Sequence, residues 1–173
     1  PPGTCPAGSP AARHTGGMPT TSVISAVMSK WNALTAANFP GSAVPALYLD
    51  EAPPVASGSQ ERTPYAVLRD KGQAPVYAEF ERTTLEVCEF EIEVFYTSMA
   101  DVDTAVAAVK LNGGTRDQAQ GFDFGDLSDL SSPRSTHQIL RTRETRRFSG
   151  VNLSGARIHS CVIEYRVTVK ESS

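Results

Sequence analysis

The sequence predicts an α+β fold: a single small domain in which an antiparallel β-sheet carries two helices packed on one face. Three observations predict it. Strict alternation of apolar and polar residues marks two long strands, 85–97 and 156–169, each with one apolar face. Two stretches with apolar residues at helical spacing, 22–37 and 101–111, supply the helices. Strands also follow one another in runs without intervening helices, which favours antiparallel pairing over a doubly wound parallel sheet. The length of 173 residues, 40% hydrophobic and 20% charged, suits one domain with a genuine interior.

The first segment, Pro1 to Gly17, is rich in Pro, Gly and Ala and is expected to be a flexible N-terminal extension. It has neither the basic flank nor the apolar core of a signal peptide. Met18 followed by Pro-Thr-Thr-Ser looks more like a natural beginning, so the folded domain is expected over 18–173. Thr21 or Ser22 can cap the first helix by accepting hydrogen bonds from its free N–H groups. Ile24, Val27, Met28, Trp31 and Leu34 form its apolar stripe, and Asn38 and Pro40-Gly41 end it. Trp31 reads as a core anchor rather than part of a ligand cage.

Val44 to Leu49 is the first expected strand and Tyr65 to Leu68 the second, with Lys71-Gly72-Gln73 as a turn after it. Val76 to Phe80 is expected to resume as a strand or irregular edge. In 85–97, Cys88, Phe90, Ile92, Val94 and Tyr96 point one way, while Glu89, Glu91 and Glu93 point to a wet face. Ser98 is placed to cap the second helix, whose buried stripe is Val102, Ala105, Val106 and Val109. Asn112-Gly113-Gly114 closes it. A long loop over 112–135 follows, then an arginine-rich edge strand over 136–148. Last comes 156–169, with His159, Cys161, Ile163, Tyr165, Val167 and Val169 on one face.

Enzymatic motifs are missing from the sequence: it has no GxSxG elbow, no Walker loop and no GxGxxG after a strand. His14, His137 and His159 lack the i,i+4 pairing of a helical metal site, and His159 beside Cys161 reads as packed core. Asp123, Asp126 and Asp129 lack the glycine and the dense oxygen ligands of a calcium loop. No catalytic residue, cofactor or metal is therefore expected. Cys5, Cys88 and Cys161 are too few for a disulfide framework and read as reduced thiols. No apolar run reaches the roughly 18 residues a membrane span needs.

The net charge of −3 hides a split. Residues 50–93 hold ten acidic and four basic side chains, whereas 134–170 hold eight basic and two acidic. Arg141, Arg143 and Arg147 share parity on the 136–148 strand, so they are expected on one face with Arg146 on the other. Two readings follow. Either this strip pairs with Glu89, Glu91 and Glu93 inside one sheet, or the two strips meet between subunits or against phosphate. The six residues Glu89, Glu91, Glu93, Arg141, Arg143 and Arg147 are thus candidates for a subunit interface.

The element order and several phrases resemble the tail terminator (tail completion) proteins of long-tailed phages and related gene-transfer particles. The phrases are Ile24–Leu34 with Trp31, Ala46-Leu47-Tyr48, Pro64-Tyr65-Ala66-Val67, Phe90-Glu91-Ile92-Glu93-Val94-Phe95-Tyr96 running into Asp101–Val109, and the closing strand Ile163–Val169. The resemblance covers roughly Met18 to Lys170. It implies a structural virion subunit, assembled in the host cytoplasm, that forms a ring, commonly a hexamer, at the head-proximal end of the tail tube. Such a ring stops tube growth, contacts the tail tube protein and a head-completion (neck) protein, and lets DNA pass through its lumen. The alternatives are another neck protein, a head-closure or head-tail adaptor subunit; an enzymatic or ligand-binding domain, which a deep pocket of strongly perturbed residues would mark; and a monomeric regulatory or nucleic-acid-binding domain, which steep salt-dependent DNA affinity would mark.

Overall fold

In the computed structural model the chain runs α1 (Pro19–Asn32), β1 (Ala46–Leu49), β2 (Tyr65–Val76), β3 (Thr83–Tyr96), α2 (Met99–Leu111), β4 (Arg134–Val151) and β5 (Arg157–Ser172). The structure describes residues 19–52, 63–76, 83–111, 134–151 and 155–172. The expected extension 1–17, most of the 112–135 loop with its three aspartates, and 77–80 lie outside the described residues.

The α+β expectation holds. The five strands form one sheet in the order β1-β2-β3-β5-β4. All pairs are antiparallel except β1 with β2, which run parallel, so the sheet is mixed. Alternation reveals which side of a strand is apolar but not which way its neighbour runs, and the sequence is silent on direction there. The two strands expected to be central, β3 and β5, are inner neighbours, and the arginine-rich β4 is an edge.

Both helices cover the same face. Val23, Ile24, Ala26, Val27 and Trp31 of α1 join Val102, Ala105, Val106, Ala108 and Val109 of α2 in one core with Phe90, Ile92, Val94, Ile163, Tyr165 and Val167 from the sheet. Phe90 and Tyr165 stand opposite each other and stack at 5.1 Å. Helix α1 stops at Asn32, short of the expected Ala37, and Leu34 N–H bonds the Trp31 carbonyl at 3.1 Å in a tightened last turn. Trp31 explains the geometry that follows. Fully buried, it donates from Nε1 to the Pro45 carbonyl at 2.8 Å and lies 6.2 Å from the Phe39 ring. The segment between helix and β1 is thereby folded back over the indole, which satisfies the one polar atom that burial would otherwise strand. At α2, the Asp101 N–H donates to Ser98 Oγ at 3.2 Å, the expected cap.

The expected turn at Lys71-Gly72-Gln73 is instead a bulge. Strand β2 continues through it to Val76, with a register shift between Asp70 and Gly72 and Gly72 at φ +108°, a conformation that favours glycine. Lys71 is the extra residue. Strand β4 shifts register three times, between Thr136 and Gln138, Arg141 and Arg143, and Phe148 and Gly150.

Candidate functional site

Residues directly opposite in a ladder point to the same side of a sheet, so the register assigns every charged side chain to a face. Glu89, Glu91 and Glu93 pair with Arg166, Glu164 and Val162 on β5 and lie on the face away from the helices. Their environment is not uniformly wet, as alternation alone suggests. Glu93 is buried, and Glu91 and Glu89 are half-buried, with 14% and 44% of their side chains open. The stripe is a gradient from dry to wet.

Its charges are matched within the chain, as the intramolecular reading requires, but by partners other than the expected arginines. Arg69 Nη1 donates to Glu93 Oε2 at 2.8 Å and to Glu91 Oε1 at 3.2 Å. The bulged Lys71 bridges strands, with Nζ 2.9 Å from Glu91 Oε2 and 3.3 Å from Glu164 Oε1. Arg166 donates from Nε and Nη2 to Glu89 Oε1 at 2.9 and 2.7 Å. The other Glu93 oxygen accepts from the Ser160 hydroxyl at 2.7 Å. Ser160 has only one hydroxyl proton, so Ser149, whose Oγ is 2.5 Å away, must be the donor in that contact. Burial pushes the Glu91 carboxyl up, but hydrogen bonds from Lys71 and Arg69 outweigh it and hold the group below its ordinary value. The same contacts raise Lys71, with Glu91 as the largest cause.

The arginines of β4 do not share one face. Arg141 opposes Tyr165, on the helix side; the register then shifts, and Arg143 opposes Glu164 on the other side. One inserted residue reverses the phase of everything after it. Arg143 and Arg147 therefore lie on the glutamate face, while Arg141, Glu144 and Arg146 lie on the helix face. There they tie β4 to α2. Lys110 pairs with Glu144, Arg141 Nε is 3.4 Å from Glu144 Oε1, and Arg146 Nε donates to Asp103 Oδ1 at 2.7 Å. Of the six candidates, the structure brings the three glutamates together, gives Arg141 a fastening role, and leaves Arg143 and Arg147 exposed without an ion pair among the described residues.

The partners that sequence reasoning missed, Arg69, Lys71, Ser160 and Arg166, had one visible signal. Arg166 alternates with apolar residues and Arg69 directly follows an apolar run, both in strands that flank the glutamates, and opposite charges on neighbouring strands attract. Next to this network Tyr65 stacks on Phe95 at 4.5 Å, and Tyr48 lies 6.5 Å from Tyr65. On the helix face Cys161 is fully buried, and burial pushes its thiol up. Among the described residues no three His, Cys, Asp or Glu side chains gather where they could hold a metal ion. No described helix is long and apolar enough to cross a membrane.

No family model matches the chain, and no curated protein does. Among solved structures, a chain of the "Virion of native gene transfer agent (GTA) particle" superposes with a TM-score of 0.40 at 17% identity, over 72% of this chain and 78% of that one.

Proposed function

We propose that this chain is a structural subunit of a phage-like particle, acting as a tail terminator: one copy in a ring, a hexamer, that closes the head-proximal end of the tail tube and joins it to a head-completion protein. The observation that carries the ring is the pair of terminal strands. Identical subunits joined head-to-tail need two different, complementary surfaces on each copy. Strand β1 is short and leads into Asp50 and Glu51; strand β4 is long and presents Arg143 and Arg147 at the opposite edge. The terminator role rests on the sequence phrases, whose order the elements keep. Ile24–Leu34 falls on α1 and the turn after it, Ala46-Leu47-Tyr48 on β1, Phe90–Tyr96 on β3 leading directly into α2, and Ile163–Val169 on β5.

The test is the mass of the purified full chain by sedimentation, with electron micrographs of the same sample. A multiple of the 18.5 kDa subunit, six copies, and rings with a central hole are expected. A single-copy mass at every concentration contradicts the proposal.

A further inference from the structure

We infer that a second copy of this chain docks its β1 edge against the Arg143–Phe148 run of β4, continuing the sheet from one subunit into the next. The inference deepens the ring reading and rests on it.

Strand direction permits the junction. β2 is antiparallel to β3, β3 to β5 and β5 to β4, and β1 is parallel to β2, so β1 and β4 run in opposite directions. A β4 edge meeting a neighbour's β1 would form an ordinary antiparallel ladder. Register permits it too. One row crosses the sheet through Leu49, Leu68, Ile92, Ile163 and Glu144, and another through Ala46, Tyr65, Phe95, Ser160 and Arg147. The four residues of β1 therefore stand level with Glu144 to Arg147 at the far edge. The next row ends at Arg143, and Asp50 is the residue that follows Leu49.

Long free edges invite uncontrolled pairing, and proteins blunt them with bulges and charge. Strand β4 is broken by shifts into short runs, of which Arg143 to Phe148 is the longest, and that run is the part level with β1. The next longest run, Gln138 to Arg141, is not level with β1.

Charge matches at one end of the junction, where Asp50 follows Leu49 into the row that ends at Arg143. The exposed large apolar side chains among the described residues are Leu49 at one edge and Phe148 and Val151 at the other, and the register puts all three on the helix side. Acidic Asp50 and Glu51 follow Leu49; basic Arg143 and Arg147 lie on the face opposite Phe148 and Val151, Arg157 pairs with Val151, and all five charged residues are exposed. Asp50 is held in place: its φ is +64° and its N–H donates to the Leu68 carbonyl at 2.7 Å, fixing the acidic tip at the end of β1. Leu49 stands level with Glu144 and not with Phe148, so the junction draws on charge, acidic at one edge and basic at the other, and such complementarity fixes register between partners. The glutamate stripe, already neutralised within the chain, is not the acidic partner.

The experiment uses the full chain with Cys5→Ser. Asp50→Cys and Arg143→Cys in one molecule should, on oxidation, give a ladder of covalent multimers, while either cysteine alone gives nothing beyond a dimer. In parallel, Asp50→Lys with Glu51→Lys, or Arg143→Glu with Arg147→Glu, should weaken association on the order of tenfold or more while leaving the melting temperature of the subunit unchanged. Combining both pairs should restore most of it. Multimers by mass, with no ladder and no effect of either reversal, overturn the edge junction and leave the ring reading standing. A single-copy mass throughout overturns both.

Discussion

Ile92→Ala and Ile163→Ala should each destabilise the subunit by about 2–5 kcal/mol, the range for emptying a fully buried aliphatic site in a core that cannot collapse around the gap. Both side chains are completely buried, and they face each other across the β3–β5 ladder beneath the helices. Because they are direct neighbours in one core, the double variant should depart from the sum of the singles by about 0.5–3 kcal/mol. Urea unfolding of the three proteins measures this directly. Losses near zero at both positions would mean that these residues do not face the core, and every assignment of a charge to a face would fall with them.

Arg69→Met should cost about 2–3 kcal/mol, whereas Arg166→Met should cost about 0–1 kcal/mol. The two arginines make similar contacts on paper, at 2.8 and 2.7 Å from a glutamate. What separates them is solvent. Glu93 keeps only 7% of its side chain open, so losing Arg69 leaves a buried carboxylate with the Ser160 hydroxyl as its remaining partner. Arg69 is itself 37% open, which holds the figure below that of a fully buried pair. Glu89 and Arg166 are both substantially exposed, and water replaces what either loses. Adding Glu93→Gln to Arg69→Met removes the uncompensated charge and should recover a large part of the loss. Equal costs for the two arginine variants would contradict the gradient along the stripe.

The apolar half of this structure was legible in the sequence and the polar half only in part. Ile92, Tyr165 and Trp31 are buried where their spacing puts them, because a period of two or of 3.6 is a direct record of which side faces the core. Ser98 caps α2 for an equally local reason. Residues that follow a bulge defeat the same logic. Arg141 and Arg143 have the same parity, yet the register shift between them sends them to opposite faces, and nothing in Arg-Thr-Arg announces an extra residue. Lys71-Gly72-Gln73 carries the glycine of a turn, and the same glycine serves a bulge, since both need a positive φ. Pairing partners are a further step away: Glu93 meets Arg69 only because β2 and β3 are neighbours in one register. The acidic and basic halves of the sequence were visible as composition. Which members of each stay exposed, Asp50 and Glu51 on one edge and Arg143 and Arg147 on the other, required the sheet order.

The proposed role, ending tail growth and joining tail to head, is tested by the tail-length distribution in electron micrographs of particles assembled without this protein. The account predicts tubes of uncontrolled length, or separate heads and tails that never join, with normal particles returning when the chain is resupplied. Particles of ordinary tail length with heads attached would contradict it.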